Sequence, residues 1–266
     1  CGIVLLYGPH AGERVAGCLD RLEHRGPDDR GLWVRGDVAL GFARLAINGE
    51  GPEGRQPHSH DGLVGAVNGE VYNHRELTRA FGLAPGGCDT RVVLPLLDLC
   101  GPRVIDELDG FYSAVAFRPS SGEVICLRDH MGKKPLFVGR SGEELFITSE
   151  LKAIDEVEWF ELLPRGVSQV ALETGRVTLV AEHRPVRAPG GIRALLNEAV
   201  RKRLPQADQP VGVFLSGGLD SSLVAAITSK LRDDVAYFTL GDADGPDRRA
   251  VEKVADFLSL KDVRAV

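Results

Sequence analysis

The sequence has no apolar run approaching the roughly 18 residues of a membrane-spanning helix, and its first residues lack the charged-then-apolar order of an export signal. A chain that neither enters nor crosses a membrane is therefore expected. Positive charge is also lacking: 32 Lys and Arg stand against 38 Asp and Glu, a net charge of −6, with the basic residues scattered. That argues against a nucleic-acid partner, which needs a basic face. The five cysteines are an odd number and show no CxxC or other metal-ligand spacing. Neither a disulfide scaffold nor a cysteine metal centre is expected, and a reducing cytoplasm is. Lysine is scarce, 7 of the 32 basic residues, which speaks of a GC-rich, bacterial genome more than of chemistry.

What is present suffices for two domains: 266 residues, 43% of them hydrophobic. Up to about Ala181 the chain reads as short Val-, Ile- and Phe-rich strands bounded by Gly, Asp or Pro: Gly2 to Tyr7, Val38 to Ile47, Leu63 to Val67, Phe111 to Phe117, Glu123 to Leu127, Glu144 to Thr148 and Val167 to Leu172. Val15, Leu19 and Leu22 lie at helical spacing between the first two. Asn73 with Glu76 predicts the capped start of a second helix, and Pro95 predicts a kink in a third. Strands with separate helices imply a layered α+β domain. Beyond the stretch from Pro185 to Gly191 the order changes to helix Ile192 to Leu204, strand Val211 to Leu215, helix Leu219 to Arg232, strand Val235 to Leu240, helix Arg248 to Leu258 and a strand near Val263. Strict alternation predicts a parallel sheet with right-handed crossovers. The domain boundary is expected at residues 183 to 191, and the second sheet stops just as it is getting started, which suggests a fragment.

Cysteine as residue 1 implies a processed chain start and sets a thiol beside an α-amine of intrinsic pKa about 7.7 to 8.0. Such an amine can accept the thiol proton, so nucleophile and base come in one residue and no histidine is required. His24, His58, His60 and His74 are accordingly expected to be ordinary surface or turn residues, and Cys18, Cys100 and Cys126, in apolar segments, to be buried hydrophobes.

Further motifs follow: Cys-Gly-Ile at 1–3, His-Arg-Gly-Pro-Asp at 24–28, Arg-Leu-Ala-Ile at 44–47, Asn-Gly-Glu-Val-Tyr-Asn at 68–73, Cys-Asp-Thr-Arg at 88–91, Arg128-Asp129 with Gly132 and Pro135-Leu136-Phe137, and Ser149 to Ala153. Their order and spacing resemble the class II glutamine amidotransferases, and in particular the glutaminase domain of glutamine-hydrolysing asparagine synthetases. The resemblance implies an N-terminal-nucleophile fold, a layered αββα sandwich over residues 1–185. It also implies residue roles that suit the chemistry. Asn68 and Gly69 would form the oxyanion hole for attack by Cys1. Arg44 would take the glutamine α-carboxylate, and Glu70 and Asp89 its α-ammonium. Arg25 and Asp28 would either shape the mouth of the site or hold a structural turn.

Residues 190–266 carry a second signal. The apolar stretch Val211 to Leu215 runs directly into Ser216-Gly217-Gly218-Leu219-Asp220-Ser221-Ser222 and a helix. Side-chain-free glycines and a helix N-terminus make an anion cradle that fits neither the dinucleotide fingerprint nor the Lys-bearing phosphate loop. It resembles the pyrophosphate loop of N-type ATP pyrophosphatases. By that resemblance residues 216–222 surround the ATP phosphates, Asp220 ligates Mg2+, and Leu215 and Leu240 flank the adenine at the ends of adjacent strands. The combination is that of an asparagine synthetase, implying glutamine, ATP and aspartate as substrates, a homodimer and a cytoplasmic location. Two other readings stand beside it: amidation of a different carboxylate in peptide or natural-product synthesis, and a regulatory or binding subunit whose synthetase half is inactive.

Overall fold

A computed structural model describes residues 1–49, 51–183, 190–205, 209–241 and 245–266. The described residues cluster into two compact units, one up to residue 183 and one from residue 190. Most of the expected connecting stretch, residues 185–189, lies outside the described residues.

The first unit contains twelve strands: β1 Gly2–Tyr7, β2 Asp29–Arg35, β3 Val38–Arg44, β4 His58–His60, β5 Leu63–Val71, β6 Gly110–Arg118, β7 Glu123–Arg128, β8 Phe137–Ser141, β9 Glu144–Thr148, β10 Trp159–Leu162, β11 Gly166–Val170 and β12 Val177–Ala181. They form two six-stranded antiparallel sheets in the orders β10-β8-β9-β1-β3-β2 and β12-β11-β7-β6-β5-β4. Helix α1 Ala11–Asp20 belongs to the first sheet, and α2 His74–Ala80, α3 Val93–Cys100 and α4 Val104–Glu107 to the second. The reason is the period of two. In β1, Ile3 and Leu5 join a core shared with Val64 and Ala66 of β5, whereas Val4 and Leu6 pack with Val15 and Leu19 of α1. In β6, Val115 and Phe117 face the same central core, while Tyr112 and Ala114 pack with Val93 and Leu97 of α3. Both faces of the inner strands are buried, which explains their unbroken apolar runs. The result is the four-layer αββα sandwich expected.

Two local expectations need correction. Asn73 does precede α2, but its side chain caps no α2 amide; it donates to the Glu107 carbonyl at 2.8 Å and accepts from the Asp109 amide at 3.0 Å, tying α2 to the chain before β6. Pro95 occupies the first turn of α3, where the amide it lacks has no helical partner anyway, so it is accommodated without breaking the helix.

The second unit contains α5 Ile192–Arg201, β13 Val211–Phe214, α6 Leu219–Leu231, β14 Val235–Thr239, α7 Pro246–Leu258 and β15 Val263–Ala265. The strands pair in parallel in the order β13-β14-β15. Among the described residues no helix is long and apolar enough to cross a membrane.

Candidate active site

Cys1, Arg44, Asn68, Gly69, Glu70 and Asp89 come from four separate stretches of sequence, and all six line one cavity of about 100 Å3. Strand ends place them. Cys1 precedes β1, Arg44 ends β3, residues 68–70 lie on the last turns of β5, and Asp89 opens a short 3-10 helix that leads into α3. Because β1 and β3 are hydrogen-bonded neighbours, Cys1 and the Arg44–Leu45 segment meet.

The Cys1 amine donates to the Arg25 carbonyl at 2.6 Å, and Arg25 Nε donates back to the Cys1 carbonyl at 2.8 Å. Arg25 is itself held by Glu150, which also meets His24 at 3.1 Å. Asp28 accepts from the Ala46 amide at 2.7 Å, fixing the segment after Arg44. Residues 24–28 thus act as a clamp on residue 1 and on the β3 exit. Burial, helped by the positive charges of Arg25 and Lys134, lowers the Cys1 amine from its usual value near 8.0 to about 5. The amine is therefore neutral at pH 7 and able to accept a proton. The Leu45 amide donates to Cys1 Sγ at 3.3 Å, and the thiol in turn donates to the Leu45 carbonyl at 3.6 Å.

Asn68 is only 2% exposed, and its Nδ2 has no hydrogen-bond partner among the described residues. A buried amide donor left unpaired costs stability, so one that lines a reaction cavity is best understood as waiting for an acceptor. A Cβ at Gly69 would collide with the Phe111 carbonyl oxygen across the β5–β6 ladder, which is why glycine stands there. Arg44 is 6% exposed and donates to the carbonyls of Gly49 and Gly51. A Cβ at Gly54 would overlap its guanidinium. The fork has five N–H donors, and beside these two contacts it makes, among the described residues, only a long ion pair with Asp29 at 3.9 Å, which leaves capacity for a second carboxylate. Asp89 accepts from the Val71 amide at 2.7 Å, and burial raises its pKa, leaving it short of a cation.

Three further contributors to the cavity are given no role by the sequence reading. Lys134 lies inside the stretch between Gly132 and Pro135, and it helps to keep the amine neutral. Leu45 acts through its backbone, which residue type does not reveal. Cys88 lines the cavity beside Asp89. Cys18 and Cys126 are buried as expected, and Cys100 half-buried, all without disulfides. His58 departs from the expectation of a surface or turn residue: it is 7% exposed and meets Thr90 Oγ1 at 3.3 Å.

In the second unit the 216–222 loop leaves the C-terminal end of β13 and opens α6, whose N-cap is Gly218. Ser216 Oγ and Ser221 Oγ lie 3.0 Å apart, and Ser221 also meets the Ser216 amide at 3.2 Å, closing the loop on itself. Gly217 has φ of +75° and lies so close to Ala250 of α7 that a Cβ would collide. Ser222 Oγ is buried and unpartnered among the described residues. Leu215 is buried in the core beside Val213 and Val235, so only its backbone is offered to a ligand, whereas Leu240 is 65% exposed. Asp220 is exposed in the first turn of α6, and no group of three metal-binding side chains exists among the described residues. Among the described residues of this loop Asp220 is the one carboxylate that a magnesium ion could meet, which would suit an ion held chiefly by phosphate oxygens and water.

Residues 1–197 match the family described as "Glutamine amidotransferase domain", and residues 191–265 match "Asparagine synthase". A mimivirus protein named probable glutamine-hydrolysing asparagine synthetase is 32% identical across 98% of this chain and 55% of its own length. Glutamine-hydrolysing asparagine synthetase 1 of Lotus japonicus is 35% identical across 97% of this chain and 48% of its own. The chain thus spans about half the length of these curated relatives. In fold it resembles the B. subtilis glutamine phosphoribosylpyrophosphate amidotransferase, with a TM-score of 0.59 at 16% identity, covering 100% of this chain and 81% of that one.

Proposed function

The chain belongs to the glutamine amidotransferase domain family, and on that premise we propose that its first unit hydrolyses glutamine to glutamate and ammonia with Cys1 as nucleophile. The neutral α-amine takes the thiol proton, and Sγ attacks the side-chain carbonyl carbon of glutamine. The oxyanion that forms is received by Asn68 Nδ2 and the Gly69 amide. Collapse breaks the C–N bond, the amine returns its proton to the leaving nitrogen, and ammonia departs. Water, deprotonated by the same amine, then cleaves the thioester. Arg44 holds the α-carboxylate, while Glu70 and Asp89 hold the α-ammonium, whose approach supplies the cation that buried Asp89 lacks. One observation carries this reading: an unpaired amide donor, buried in the same cavity as a thiol whose own amine is neutral.

The second unit supplies the other half of the proposal. Ser216 to Ser222 cradle the phosphates of ATP, Leu240 and the Leu215 backbone meet the adenine, and Asp220 is the residue to hold Mg2+, which would neutralise phosphate charge. Relatives over nearly the whole chain are named for asparagine synthesis, so the carboxylate activated is that of aspartate, and the products are asparagine, AMP and pyrophosphate. A homodimer in the cytoplasm belongs to the same proposal. The test separates the two chemistries. In the full-length protein Cys1→Ala should abolish glutamine-dependent synthesis and spare synthesis from ammonium salts, more so at high pH, where uncharged ammonia is abundant. Loss of the ammonium-dependent reaction, with ATP still bound normally, would refute it.

A further inference from the structure

Beside the glutamine cavity the first unit holds a second hollow of about 390 Å3, within the size range of small-molecule sites. Its lining includes Arg91, His60, His74 and the buried His58, together with Arg55, which is paired with Asp29 at 3.2 Å. Among the described residues no Asp, Glu or Lys lines it, although acidic residues outnumber basic ones in the sequence, 38 to 32, and three of the seven histidines gather here. The lining also includes the apolar side chains of Pro57, Leu83, Val92, Leu94 and Pro95. Arg91 is exposed; its Nε donates to the Glu53 carbonyl at 2.6 Å, and the guanidinium carries four further N–H donors.

The two cavities share a wall. Cys88 lines both. From His58 Nε2 the contacts run to Thr90 Oγ1 at 3.3 Å, from there to Cys88 Sγ at 3.3 Å, and on to Asp89 Oδ1 at 3.7 Å. A ligand in the second hollow that touches Cys88 would therefore sit one side chain away from the carboxylate assigned to the glutamine α-ammonium.

We propose that this second cavity binds a small organic anion with an apolar body, its charge against Arg55 and Arg91 and its body on the proline and leucine floor. Charge-assisted contacts with guanidinium supply the selection for an anion. The apolar floor selects against a bare inorganic ion. His58 reports on occupancy: burial, then the charges of Arg91 and Arg44, hold its imidazole at about 4, and an anion against Arg91 offsets part of that cause.

Phenyl phosphate is a suitable probe, with inorganic phosphate and benzamidine as its charge-only and opposite-charge counterparts. Calorimetry on the intact chain saturated with Mg-ATP, which fills the phosphate loop at 216–222, should show one site for phenyl phosphate, at least about tenfold tighter than for either counterpart. The ring signals of His60 and His74, which line only this cavity, should move with the same midpoint, and the His58 titration should shift upward. Arg91→Glu, at an exposed side chain, and His60→Glu, at a half-buried one, should each weaken binding by about tenfold or more. Equal binding of benzamidine, binding that leaves His60 and His74 unmoved, or full binding by both variants with unchanged melting temperatures would overturn the assignment. None of these readouts involves glutamine turnover, so the inference stands or fails apart from the glutaminase.

Discussion

Replacing Asn68 by leucine, a residue of similar volume, should damage catalysis while sparing or raising stability. The unpartnered, buried Nδ2 makes the two effects opposite in sign. Losing one donor to a developing oxyanion costs about 2.7 to 4 kcal/mol of transition-state stabilisation, a fall in kcat of roughly 100- to 1,000-fold. A buried donor without an acceptor burdens the folded state by about 1 to 3 kcal/mol. For a unit of this size each kcal/mol recovered shifts the melting temperature by about 2 to 4 °C. Glutamate release at saturating glutamine and a thermal melt on the same preparations measure both. A turnover within about threefold of the parent would remove Asn68 from the oxyanion hole. A melting temperature lowered by more than about 4 °C would mean that Nδ2 has a structural partner and is not waiting for substrate.

Three other outcomes follow from the same geometry. Because the Cys1 amine is lowered to about 5 by burial, Arg25 and Lys134, glutaminase activity should persist below pH 7 and fall only as pH drops through about 5; Lys134→Met should move that acid limb upward, and an unmoved limb in the pH–rate profile would exclude the charge of Lys134. The sign for stability is the same: between pH 8 and 5 the unfolded chain binds a proton that the folded chain refuses, so chemical denaturation should show this contribution declining as pH falls. Gly69→Ala should destabilise the unit by about 1 to 3 kcal/mol and abolish turnover, since its Cβ has no room against the Phe111 carbonyl; a soluble variant with normal melting and activity would contradict this. Asp220→Asn should weaken the use of Mg-ATP in pyrophosphate release and leave glutamine hydrolysis unchanged.

In the first unit the strands legible in the sequence are those inside a sheet, with core on both faces. β1, β3, β5, β6, β7, β9 and β11 all read as apolar runs, and each has a strand on either side. The four sheet edges, β2, β4, β10 and β12, went unread because an edge strand needs no such run: all four residues of β10 are exposed, and β2 alternates between half-buried and exposed. Only β8 was missed from an interior position. It is five residues long and carries Gly139 and Arg140, the glycine because Phe146 and the Trp159 carbonyl press against it.

The candidate site was legible for a different reason. Its side chains sit in short contiguous motifs whose residue types state their chemistry: a thiol, a guanidinium, a carboxamide, carboxylates. What those motifs cannot state is the field that makes the thiol usable. An α-amine of ordinary pKa would be mostly protonated at pH 7, and a protonated amine accepts nothing. The fold removes that proton by burying residue 1 under the β3 exit and by setting two cations near it. Arg25 reaches the site because Glu150, 125 positions later, holds it. Lys134 reaches it because the Asp129 carboxylate gathers the amides of Tyr112, Met131, Lys133 and Lys134 and so shapes the turn before β8. Neither acid touches the cavity, yet each positions a charge that sets the protonation of the base. On the proposed mechanism the nucleophile is therefore local to one residue, while its activation is a property of both sheets.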